Sequence, residues 1–99
     1  MILVTGTLQA RADSIDSLRA LAIEHVARSR AEAGCIEHGV AVDANDSLRL
    51  VFFERWADRP ALDAHFEVPA TRAFVAQATG LAAQPPRISV YEAEEIALR

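Results

Sequence analysis

The chain has 99 residues, 52% of them hydrophobic, and 14 acidic against 10 basic side chains give a formal net charge of −4. That length suits one core and a single domain over residues 1–99, and arginines scattered along an acidic chain leave no nucleic-acid footprint. Cys35 is the one cysteine, which excludes an internal disulfide and suits a reducing cytoplasm.

The opening run "MILVTGTLQA" carries no basic leader or cleavage site. No apolar stretch approaches the ~18 residues of a membrane span. A soluble cytoplasmic protein without membrane contact is therefore expected.

Residues 2–9, "ILVTGTLQ", are too short and too rich in β-branched side chains for a helix, and read as a first strand. Asp13 or Ser14 then offers a cap, and Ile15, Leu18, Leu21, Ala22 and Val26 recur at helical spacing. The helix is expected over about residues 15–32, closed by Gly34. A second strand follows at 35–43, with Ile36, His38, Val40 and Val42 alternating onto one face. "ANDS" at 44–47 is a turn cluster, so a hairpin into a third strand at 48–56, "LRLVFFERW", is expected.

Asp58 precedes Pro60 and signals a short helix over 59–66. Pro69 breaks it, and Thr71 is the expected cap of a second segment that carries Phe74, Val75 and Ala78 up to Gly80. "QPP" at 84–86 ends regular structure, and "RISVYEA" at 87–93 reads as a fourth strand. The order β-α-β-β-α-β predicts an α+β, ferredoxin-like fold, an antiparallel sheet with both helices on one face. Both faces of the third strand carry large apolar groups, including Phe52 on one and Phe53 on the other. A sheet buried on both sides is expected, with helices on one side and a second copy of the chain on the other.

Few residues here carry obvious chemistry. Trp56 shares a strand face with Glu54, and His65 borders the apolar stripe of the next helix, so each is either core or pocket wall. His38 reads equally as a satisfied core imidazole or a pocket donor, and His25, beside Glu24 and Arg28, is expected in solvent. Cys35 has no activating neighbour and is expected to be structural. The three histidines lack metal-ligand spacing, and no Gly-rich phosphate loop is present, so no metal and no cofactor is expected.

The stretch "AGCIEHGVAVDANDSLRLVFFERWADRPALDAHFEVPATRAFV" resembles the antibiotic biosynthesis monooxygenase family, most specifically through Glu54-x-Trp56 followed by His65 and Phe74. The resemblance implies a dimeric α+β barrel. It also implies oxidation of a quinol or polycyclic phenol by O2 without metal or flavin, with the aromatic substrate supplying the electrons. By the same resemblance His65 is the pocket acid/base or donor, and Trp56 is the wall or indole donor. His38, Phe52, Phe53 and Tyr91 are the substrate contacts. The wider family also holds haem-degrading and isomerase branches, which makes a ligand- or haem-binding dimer and an isomerase the alternative readings. "TGTLQ" lacks the first-strand Asn of the haem-degrading branch.

Overall fold

The computed structural model describes residues 1–98. Its elements run β1 (Ile2–Gln9), α1 (Ile15–Ser29), β2 (Cys35–Asp43), β3 (Asp46–Trp56), α2 (Arg59–Glu67), α3 (Pro69–Leu81) and β4 (Arg87–Glu92). The strands form one antiparallel sheet in the order β2-β3-β1-β4, which is the expected ferredoxin-like α+β fold.

Register decides which side chains face the helices. Ile2 stands opposite Trp56, Val4 opposite Glu54, Gly6 opposite Phe52 and Leu8 opposite Leu50, so these residues share the inner face. There Leu8, Leu50 and Phe52 pack with Leu18, Ala22 and Val26 of α1 and with Phe74 and Ala78 of α3. A second cluster joins Ile2, Val4 and Trp56 to Leu62 of α2. Removing these apolar surfaces from water is the main force that seats the helices on one face.

Several local expectations change. Ser14 holds the N-cap position of α1 without capping it: its hydroxyl donates to the Leu81 carbonyl at 2.7 Å and accepts from the Arg11 N–H at 3.0 Å. The serine thereby ties the start of α1 to the end of α3. The helix ends at Ser29 instead of near 32, because its last turn tightens through Ala31 N–H to Arg28 O and Glu32 N–H to Ser29 O. Gly34 then takes φ +82°, and a Cβ there would lie 2.5 Å from Ala61 Cβ. Only glycine turns the chain there while α2 passes so close.

The register shifts between Cys35 and Glu37, so Cys35 rather than Ile36 aligns with Trp56, and Ile36 is 50% exposed. One extra residue at a bulge reverses the side-chain parity, which overturns the placing of Ile36 beside His38, Val40 and Val42. The hairpin turn contracts to Ala44 and Asn45, because Asp46 and Ser47 join β3. Asp58 caps α2 as expected, accepting from the Ala61 N–H at 2.9 Å. Thr71 does not cap α3: Val68 holds that position with Pro69 directly after it, and Thr71 is buried inside the helix. β4 closes one edge and stops at Glu92, with its side chains exposed. No helix among the described residues is long and apolar enough to cross a membrane.

Candidate active site

Between the inner sheet face and the α2–α3 segment lies a cavity of about 210 Å³. Phe52, Phe66, Phe74, Val75 and Ile88 supply much of its apolar wall, while His25, Glu54, His65, Thr71 and Arg87 bring polar groups to it. Gly6, opposite Phe52, gives up side-chain volume at the sheet floor.

His65 stands on α2 with its ring almost fully buried. Its Nδ1 lies 2.8 Å from Oε1 of Glu32, which the tightened turn after α1 presents to it. With the Nδ1–H donating to that carboxylate, Nε2 keeps its lone pair and is free to accept a proton. Trp56 lies beneath, its ring centroid 4.7 Å from that of His65. The Trp56 indole N–H donates to Oε1 of Glu54 at 2.9 Å.

Glu54 is buried beside the rings. His38 Nε2 lies 3.2 Å from Glu54 Oε1. Burial works to raise the Glu54 carboxyl, but His38 and the Trp56 N–H outweigh it and hold the group below the usual carboxylate range. Glu54 is therefore a charged group at the cavity wall.

His25 completes the group. Its ring stacks on Phe74, with centroids 4.1 Å apart and planes at 6°, and sits 5.3 Å from both His38 and His65. Burial, reinforced by the two neighbouring histidines, lowers its pKa to about 3, so the ring is neutral. The expectation of a solvated His25 is thus overturned. Leu18, Ala22, His25, Val26 and Ser29 form the buried face of α1, while Glu24 and Arg28 pair with each other at 2.7 Å away from it. The helical stripe that contains Leu18, Leu21 and Ala22 holds the signal, since His25 lies seven residues beyond Leu18 and four beyond Leu21.

The other sequence candidates divide between the two sheet faces. Phe52 lines the cavity with His65. Trp56 lies behind that wall, fully buried, and His38 is buried beside it. Phe53 and Tyr91 belong to the opposite face, where Phe53 stands opposite Thr5 and Tyr91 opposite Leu3, and are 38% and 52% exposed. Cys35 is half-buried against the Trp56 cluster, and burial raises its pKa above the ordinary thiol value. Glu32 has no advance signal in "SRAEAGC", because its role depends on the turn that follows α1.

Comparison with known proteins agrees with this fold. The family model "Antibiotic biosynthesis monooxygenase" matches residues 1–77. The uncharacterised protein sll1783 of Synechocystis sp. is 34% identical over 94 residues, covering 95% of this chain and 64% of the relative. This chain thus spans less than two thirds of that protein's length. "Putative monooxygenase Rv0793" of Mycobacterium tuberculosis is 34% identical over 89 residues, covering 90% of this chain and 87% of the relative. The structure of Rv0793 superposes with a TM-score of 0.90 at 31% identity, covering 98% of each chain. A Deinococcus radiodurans structure, described as that of a "putative antibiotic biosynthesis monooxygenase", superposes with a TM-score of 0.94 at 26% identity, covering 100% of this chain and 98% of that one. The match runs from β1 into α3 and so takes in the helix turn, strand and helix that bring Glu32, Glu54 and His65 together. On this sequence and structural agreement, the chain belongs to the antibiotic biosynthesis monooxygenase family.

Proposed function

We propose that this protein oxidises a small electron-rich phenol or quinol with O2 in the cavity under α2 and α3. His65, which lines the cavity and is paired with Glu32 behind it, carries this reading. Oxidation of such a substrate starts from its oxyanion, which gives up electrons far more readily than the neutral phenol. His65 Nε2 removes the hydroxyl proton, Glu32 fixes the tautomer, and the Glu54 charge favours the imidazolium that forms. Trp56 acts through Glu54, holding the carboxylate by its indole N–H. The apolar wall excludes water from the anion.

The electron count closes on the substrate itself. A quinol and O2 give a hydroxyquinone and water: one oxygen atom enters a ring carbon and the other leaves as water. All four electrons come from the quinol. Size narrows the class, since a cavity of about 210 Å³ is below the ~300–1,000 Å³ of ordinary ligand pockets. That favours one or two fused rings over larger polycyclic phenols.

Members of the family are usually dimeric. We place the second copy on the outer sheet face, where Val51, Phe53 and Tyr91 are exposed. Oxygen consumption measured with one- and two-ring quinols tests the reading. The rate above autoxidation falls at least about tenfold in His65→Ala if proton transfer has its usual size. An unchanged rate overturns it.

A further inference from the structure

Three different elements, α1, β2 and α2, each deliver one histidine to the same interior point. The ring centroids of His25, His38 and His65 are 5.3, 5.3 and 5.6 Å apart, and the residues are 5%, 2% and 2% exposed. One nitrogen from each ring lies within 4.8 Å of the other two. We propose that His25, His38 and His65 form a binding site for a divalent first-row transition-metal ion. This goes beyond the proposed oxidation.

Packing does not account for these rings. Among the described residues, Nδ1 of His25 and Nδ1 of His38 are buried without a hydrogen-bond partner. Buried polar atoms are rarely left so, and a core built only for packing would hold apolar side chains here. A metal ion is a partner that unprotonated imidazole nitrogens satisfy directly.

The surroundings also fit an ion. Glu32 takes Nδ1 of His65 at 2.8 Å, and Glu54 stands 3.2 Å from Nε2 of His38. Carboxylates behind histidine ligands orient the rings and increase their basicity. Two such groups also offset the charge of a divalent cation in an interior otherwise lined by aromatic rings.

Imidazole nitrogens select zinc, copper, nickel, cobalt or iron over magnesium and calcium, which prefer oxygen. Bonds of about 2.0–2.1 Å in a tetrahedral site put the nitrogens about 3.3 Å apart, so the widest pair closes by about 1.5 Å on binding. His25, His65 and Glu54 line the cavity, so a fourth position opens toward it. The ion takes the same Nε2 lone pair that proton removal uses, so a loaded site and a free His65 base exclude each other.

The experiment uses the full chain, stripped with a chelator, and no substrate. Its outcome is therefore independent of whether quinols are oxidised. Calorimetric titration with Zn2+ gives one ion per chain, and Mg2+ gives no binding. His25→Gln and His38→Gln each weaken Zn2+ binding at least about tenfold, the usual effect of disturbing a metal's ligand shell. Circular dichroism reports whether these variants fold. The unmodified protein supplies a second readout, because its three histidines are the only source of imidazole NMR signals. Zn2+ shifts all three sets together. Absence of binding, equal affinity in the folded variants, or imidazole signals that stay fixed overturns the site.

Discussion

Glu32 and His65, 33 residues apart in the chain, meet at 2.8 Å where the turn after α1 faces α2. The contact gives His65 a defined tautomer and leaves the proton-accepting nitrogen free on a ring that lines the cavity. In the proposed oxidation Glu32 is a positioning residue, acting on substrate only through the imidazole. Glu32→Gln is therefore expected to lower kcat for quinol oxidation about tenfold while KM stays within about a factor of two. Steady-state oxygen uptake separates the two constants. A rise in KM with kcat unchanged would assign Glu32 to substrate binding instead.

Trp56 is held by packing and by one hydrogen bond. Trp56→Phe preserves much of the ring volume but removes the indole N–H from Glu54, leaving a buried carboxylate short of a donor. The expected loss of stability is about 1.5–3 kcal/mol, the usual worth of a hydrogen bond to a charged group. Because Trp56 is the chain's one tryptophan, urea unfolding is followed by circular dichroism rather than fluorescence. Equal midpoints for the two proteins would show that the hydrogen bond carries no net stability.

Cys35 gives a pH dependence with a definite sign. Burial, then the charges of Glu32 and Glu54, disfavour its thiolate and raise its pKa above the ordinary thiol value. The thiolate is the reactive form, so alkylation by iodoacetamide at pH 8 is slower in the folded protein than in the urea-unfolded chain. The rate-versus-pH curve also inflects at higher pH in the folded state. In stability terms a raised acid pKa works against the fold as pH climbs past the unfolded thiol value. A folded-state inflection at or below that of the unfolded chain contradicts the assignment.

The outer sheet face predicts assembly. Phe53 and Val51 on β3 and Tyr91 on β4 are exposed, in a sheet whose inner face is already filled by helices. Light scattering at micromolar concentration is expected to give the mass of two chains. Phe53→Glu, which changes a solvent-facing position of the single chain, is expected to give the mass of one without loss of secondary structure. A clean monomer before mutation refutes the interface.

Much of the fold is legible in the sequence because local and global signals agree. Period-two alternation in β3, the Asp58–Pro60 helix start and the Pro69 break each match the element that forms. The candidate site is less legible because it depends on parity and on turns. One bulged residue near Ile36 changes which β2 side chains share a face. Glu24 and Arg28 suggest a wet helix around His25, yet their ion pair lies on the side of α1 away from the core. Glu32 gains its meaning only after the helix ends early and Gly34 turns the chain under α2. His65 and Phe52 are readable because both sit beside apolar stripes that the fold preserves.

The central claim is oxygen insertion dependent on His65. It is tested most directly by single-turnover reaction of a two-ring quinol under 18O2, with the product analysed by mass spectrometry. The account predicts one labelled oxygen atom in the hydroxyquinone, and in His65→Ala a yield of that product at the autoxidation background. Product without label, or equal labelled yield from His65→Ala, would contradict it.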